Sequence, residues 1–299
     1  EDFAAVKTGL WVGKHLSLTG LDRLADLIGS VLASRRNSLM VRHIMANQWV
    51  ISGESMNKSQ LQERASETVH NVVSSLAEYF YYYQHPDEGM KKIILSNTAE
   101  ETLRDISERK VPTILLGPHL GNFDLFGMSL TWLGVHPFVL SHPNPNNAYK
   151  AQNRIREAVG MSIHPISFSS LREAKKALKD GFCVVTGLDR PIPEGEEAKY
   201  RPRFFGREAA LPVFYVRLAL ETGAAVRVAC GVRREDGNYF VDATDPIPME
   251  KSDNLIEENV LNAESVLRAT EDFIQGAQSQ WCMFHPVWPE VLPVVNKLT

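Results

Sequence analysis

From Val111 onward the chain alternates short apolar runs with amphipathic stretches, and no other feature constrains its fold as strongly. Strands are predicted over 111–116, 136–140, 162–166 and 182–188, and again over 225–232 and 239–242. Helices are predicted between and after them, over 123–133, 147–159, 170–179, 211–222 and 255–275. A strand that returns through a helix to lie beside its predecessor makes a parallel βαβ crossover. The pattern therefore predicts an α/β fold with a mostly parallel central sheet flanked by helices. In such sheets ligands gather at the carboxyl ends of the strands.

Before Val111 the period is helical. Leu21, Leu24, Ala25, Leu27, Ile28 and Val31 recur at spacings of three and four. Ala65, Val69, Val72, Val73, Leu76 and Phe80 share one face of a long helix over 60–83. A shorter helix over 98–109 is predicted to start at Thr98, with Glu101 three residues on. Residues 1–110 are thus expected to form an N-terminal helical, membrane-facing extension packed on an α/β core of residues 111–299.

Composition excludes several classes. Of 299 residues, 44% are hydrophobic and 23% charged, as in an ordinary globular protein. The net charge of −4 gives nucleic-acid binding no compositional support. Cys183, Cys230 and Cys282 stand singly in apolar surroundings with no metal-ligand spacing, so they are expected to be reduced core residues of a cytosolic protein. No run of about 18 or more uncharged apolar residues is present, so no spanning helix is expected. No signal-peptide pattern is visible; the chain opens at Glu1 without methionine, which leaves a preceding segment open.

The first strand of the alternating region runs into Gly117-Pro118-His119-Leu120-Gly121-Asn122-Phe123-Asp124. On one regular helix, residues five apart lie about 140° from each other. His119 and Asp124 would therefore meet only if His119 sits in the turn and Asp124 in the first helical turn. An aspartate so placed would orient the imidazole and leave its other nitrogen as a general base. A loop histidine beside an aspartate that serves the helix dipole is the plainer alternative. Arg156 carries a planar, permanent charge suited to an oxyanion or a phosphate, or simply to solvent. Asp189, at a strand's carboxyl end, would orient an acceptor or assist His119. Asn122 would reach an acyl carbonyl or cap the helix. Arg201, Arg203 and Arg207 surround Phe204-Phe205-Gly206, a basic aromatic segment able to hold a phosphate. Trp281, Phe284, Trp288 and the Tyr79–Tyr83 cluster are expected to pack.

The His-x4-Asp pattern of His119 and Asp124 resembles that of glycerolipid acyltransferases. More closely, the chain resembles the branch that holds the lipid A late acyltransferases and the phosphatidylinositol mannoside acyltransferases. Further blocks carry the likeness: Asn153-Arg154-Ile155-Arg156, Thr186-Gly187-Leu188-Asp189-Arg190-Pro191, and Arg203-Phe204-Phe205-Gly206-Arg207 running on to Leu211-Pro212. The closing aromatic segment 280–288 also matches, with Pro286 where many members carry arginine. The resemblance implies an O-acyltransferase of lipid biosynthesis. It would move an acyl group from acyl-CoA or acyl-carrier protein to a hydroxyl of a membrane glycolipid or phospholipid, with no other cofactor and no metal. His119, Asp124 and Asp189 would be catalytic; Arg156, Asn122, Arg203 and Arg207 would hold the oxyanion or a phosphate. The absence of a G-x-S-x-G elbow fits direct attack on an activated thioester.

Residues 7–50 carry six lysines and arginines against two aspartates, interleaved with Trp11, Leu16, Leu18, Leu21, Ile28, Met40, Ile44 and Trp49. Such a segment reads as a surface-lying helix of a peripheral protein on the cytoplasmic face of the inner membrane. Two other readings stay open. Histidines 119, 136, 142 and 164 near strand ends, with Asp124, would suit a metal-dependent hydrolase, although no H-E-x-x-H pattern exists. A lipid-binding protein that kept the fold without turnover is the other.

Overall fold

The computed structural model describes residues 2–109, 111–193 and 199–298. Seven strands form one sheet, in the order β1 (Ile93–Leu95), β9 (Tyr239–Ala243), β8 (Ala225–Arg233), β2 (Thr113–Gly117), β5 (Cys183–Gly187), β3 (Phe138–Ser141) and β4 (Ser162–Pro165). All neighbours run parallel except β8 and β9, which form an antiparallel pair. The predicted α/β class is the one observed.

Alternation of side chains fills two layers. Ile114 and Leu116 of β2, Val184 of β5 and Val226 and Val228 of β8 face one core. That core is completed by α9 (Phe168–Lys179), α10 (Phe214–Thr222) and α11 (Leu255–Gly276). Leu115, Cys183 and Ala229, one residue out of step, face the opposite layer. There α6 (Asn97–Ser107) contributes Ile106, and α7 (Phe123–Trp132) contributes Phe126 and Leu130. Residues buried on both faces explain why these strands read as continuous apolar runs.

The N-terminal region is helical: α1 (Asp2–His15), α2 (Leu18–Ser34), α3 (Leu39–Ile51), α4 (Lys58–Gln84) and α5 (Pro86–Lys92). Helices α1, α2 and α3 all pack on α4. Its aromatic end, Tyr79 to Tyr82, is buried in a core shared with Leu125, Met128 and Ile155. The described residues also form α8 (Asn147–Ala158) and the short α12 (Leu292–Val295).

Several local expectations are corrected. The single amphipathic helix read over 7–50 is three helices, and its apolar residues divide. Trp11 and Ile28 are exposed, whereas Leu21, Ile44 and Trp49 are buried. The cap before α6 is Ser96, whose hydroxyl accepts from the Ala99 N–H at 3.1 Å, rather than Thr98. Helix α10 starts at Phe214, not Leu211, because the residue before a proline is pushed out of the helical region. The segment around Phe204 is a two-stranded hairpin, β6 (Arg203–Phe204) and β7 (Arg207–Glu208), turned by Phe205 and Gly206 at positive φ. Strand β1, three residues long, is too brief to show a period in the sequence.

Candidate active site

Strands β2 and β5 are paired in register, Gly117 against Gly187. Each chain continues two residues beyond that pair, to His119 and to Asp189. Equal overshoot from adjacent parallel strands brings the two side chains together. The His119 Nδ1 lies 2.6 Å from Asp189 Oδ1, and the His119 backbone N–H donates to Asp189 Oδ2 at 2.8 Å. The Trp281 indole N–H donates to that same Oδ2 at 2.8 Å. Asp189 is wholly buried. Burial alone would raise its pKa, but the His119 ring and these three hydrogen bonds hold the carboxyl below its ordinary value. An ionised Asp189 accepts only, so Nδ1 carries the proton and Nε2 is left as the basic nitrogen.

The closing segment clamps this loop. Leu120 and Trp281 form an antiparallel bridge. The Cys282 N–H donates to the His119 carbonyl at 2.7 Å, and the Gly121 N–H donates to the Gln280 carbonyl at 2.9 Å. Phe123 sets its ring edge-on to the imidazole at 4.9 Å.

Asp124 does not orient the imidazole, contrary to the expectation. It lies on the first turn of α7, and α8 claims it. Arg156 reaches its Oδ1 through Nε at 2.9 Å and Nη2 at 2.6 Å, and Gln152 donates to its Oδ2 at 2.5 Å. Gln152 and Arg156 are one helical turn apart and share a face. Arg156 is therefore not a solvated charge: it is paired with Asp124, and its Nη1 donates to Asn153 at 2.9 Å. The buried pair locks α7 to α8 beside the dyad.

Asn122 caps α7, accepting from the Leu125 N–H at 3.1 Å, while its amide donates to the Ser75 carbonyl at 2.8 Å. Both ends of the side chain are engaged, which takes it from the expected acyl carbonyl. Arg203 and Arg207 do not join this site. Arg203 is exposed on the hairpin and donates to the Gly206 carbonyl at 3.3 Å. Arg207 pairs with Glu54 and lies 3.8 Å from Glu290. The hairpin binds the closing aromatic segment instead: Phe204 stacks on Trp288 with ring centres 5.7 Å apart. Trp281 and Trp288 are buried, as packing residues should be.

The dyad opens into a cavity of about 290 Å³. Its apolar lining includes Val72 and Leu76 of α4 with Phe123, Met283 and Phe284; its polar lining includes Tyr149, Arg156, Arg190 and His285. Arg190, Tyr149 and His285 were not singled out from the sequence. Arg190 was findable, since it follows Asp189 at the same strand end. The histidines of the hydrolase reading scatter: His136 faces the Gly160 carbonyl, and His164 bonds Ser162 and stacks on Phe138. Among the described residues no three His, Cys, Asp or Glu side chains converge to hold a metal. The three cysteines are buried, with thiol pKa values pushed up to about 12 by burial.

Fold and site together define an α/β protein with a His–Asp pair at the carboxyl ends of a mostly parallel sheet flanked by helices. The chain belongs to the bacterial lipid A biosynthesis acyltransferase family, whose model matches residues 8–290. It is also 32% identical over 124 residues to the phosphatidylinositol mannoside acyltransferase of Mycobacterium tuberculosis. That match spans 38% of this chain and 36% of the relative.

Proposed function

We propose that the protein is an O-acyltransferase that moves a fatty acyl group from a thioester donor, acyl-CoA or acyl-carrier protein, to a hydroxyl of a membrane glycolipid or phospholipid. The observation that carries this reading is the His119–Asp189 dyad, its imidazole lining a cavity shared with apolar side chains. A hydroxyl is a weak nucleophile near neutral pH, so a base must take its proton in the transition state. His119 Nε2 takes that proton as the alcohol oxygen attacks the thioester carbonyl. The tetrahedral intermediate collapses, the carbon–sulfur bond breaks, and the imidazolium returns the proton to the departing thiolate. Asp189 stabilises the imidazolium and fixes its tautomer. The thioester is already activated, so no enzyme-bound acyl group and no further cofactor are required. Asp124 and Arg156 act as positioning residues that hold α7 and α8 in place.

The name of the mycobacterial relative makes a phosphatidylinositol mannoside one acceptor to test. No described helix is long and apolar enough to cross a membrane. Trp11, Leu27, Val31 and Leu39 are exposed on α1, α2 and α3. Together with Arg23 and Arg35 they suit a peripheral position on an anionic leaflet, that of the inner membrane's cytoplasmic face.

The test is transfer of a radiolabelled acyl group from acyl-CoA into a lipid extract, with mass spectrometry of lipids from cells lacking the protein. A lipid short of one acyl chain identifies the acceptor. His119→Ala is expected to lower transfer by about 10²–10⁴-fold while the fold persists. Transfer at the wild-type rate would remove the base from the mechanism.

A further inference from the structure

Among the described residues, one cation that lines the cavity has no counter-charge. The two carboxylates of the site are already committed, Asp189 to His119 and Asp124 to Arg156. Arg190 lines the same cavity, half-buried, with no carboxylate or hydrogen-bond partner among the described residues. Burial works against its charge, and Tyr149 is the one neighbour that acts the other way. Two imidazoles sit within its field. His142 stands just past the end of β3, its ring centre 6.1 Å from that of Tyr149. His285 lines the cavity from the closing segment. Both are held below their ordinary pKa, first by burial and then by the Arg190 charge; His119, His43 and His142 add to the effect at His285.

We propose that Arg190, with His142 and His285, forms a subsite for a phosphate group carried by the substrate. A half-buried permanent cation calls for a permanent counter-anion in the resting complex. An oxyanion that exists only in passing does not meet that need; a phosphate does, and the guanidinium fork matches its oxygens. The two neutral imidazoles add a second response. As a dianion arrives, each gains affinity for a proton and becomes a further donor. The class of ligand is thus a phosphomonoester or phosphodiester with an acyl or hydroxyl group within reach of His119. The donor's pantetheine phosphates and the acceptor lipid's phosphate share this chemistry.

The inference rests on the acyl-transfer reading for its substrates, so one arm of its test needs no turnover. Imidazole NMR titration of the full chain with inorganic pyrophosphate should raise the pKa of His142 and His285. Arg190→Gln should raise both without the anion and abolish the pyrophosphate response; Arg190→Lys should retain part of it. A wild-type protein whose imidazoles ignore pyrophosphate, or an Arg190→Gln variant that responds like wild type, overturns the subsite. The kinetic arm compares phosphate-bearing and phosphate-free substrates. In Arg190→Gln the KM preference for acyl-CoA over an acyl-N-acetylcysteamine should collapse at least about tenfold if the donor's phosphate is bound. The preference for a phosphorylated acceptor over its dephosphorylated form should collapse if the lipid's is. Equal loss of kcat with every substrate, KM ratios intact, would assign Arg190 to the oxyanion and overturn the proposal. Loss of all transfer in wild type would defeat the acyltransferase reading and leave the NMR result standing by itself.

Discussion

Asp189 shows how burial and bonding compete at a single carboxyl. Its surroundings disfavour charge, yet three hydrogen bonds and the imidazole keep it ionised. A folded-state pKa below the unfolded value stabilises the fold above the unfolded carboxylate's pKa of about 3.9, and that contribution fades as pH falls through the lower folded value. The stability gap between wild type and Asp189→Asn, measured by urea melts, should therefore shrink as the pH drops below about 4. At neutral pH the same variant should transfer acyl groups about 10²–10⁴ times more slowly, since an amide no longer holds the Nδ1–H tautomer. Gly121 matters for a different reason. Its φ is +60°, and a Cβ there would run into the carbonyl of Gly231 across the bridge from β8. Gly121→Ala is expected to lower stability by at least about 2 kcal/mol, read as a shift in the denaturation midpoint. A midpoint equal to wild type would show that the turn relaxes freely.

Among elements, the closing segment has the widest reach. Residues 280–282 hydrogen-bond the His119 loop on both sides, and Trp281 supplies a donor to the buried Asp189. Trp281→Phe keeps the apolar bulk and removes that donor. The expected cost is about 1–3 kcal/mol, with a fall in kcat larger than any change in KM, because the imidazole's partner is disturbed and the cavity is not. An unchanged kcat would show that Asp189 needs only the His119 contacts. Helix α4 anchors the opposite side. Glu78, buried near its end, accepts from the Tyr239 hydroxyl and pairs with Arg233 at 3.0 Å, which fastens α4 to β8 and β9.

At the scale of the whole molecule, the N-terminal helices leave large apolar side chains in water: Leu27 is 64% and Leu39 67% exposed. Scattered apolar residues are ordinary on a protein surface, but here Leu27, Ile28 and Val31 lie within little more than one turn of α2. Co-sedimentation with anionic phospholipid vesicles should retain the protein, and a Leu27→Ser/Val31→Ser double variant should bind several-fold more weakly. Added salt should weaken both, through screening of the arginines. Vesicles that bind wild type and variant alike would move the membrane contact to another face.

Much of this architecture was legible in the chain. Strand and helix alternation is a local property, set by side-chain periods of two and about 3.6, so the parallel sheet and most of its helices could be read in order. The strand-end rule likewise drew attention to His119 and Asp189. Their partnership stood only as one of two readings for Asp189, because it depends on the β2–β5 register, which aligns residues 70 positions apart in the chain. Nearness in sequence favoured Asp124, which α8 had claimed with two side chains on one helical face. The fate of Arg203 and Arg207 was equally hidden, since only the folded chain brings Glu54 and Glu290 to Arg207. Periods along a chain determine its elements; which charged groups end up neutralising one another is decided when those elements pack, since an unpaired charge is costly only once water has been excluded.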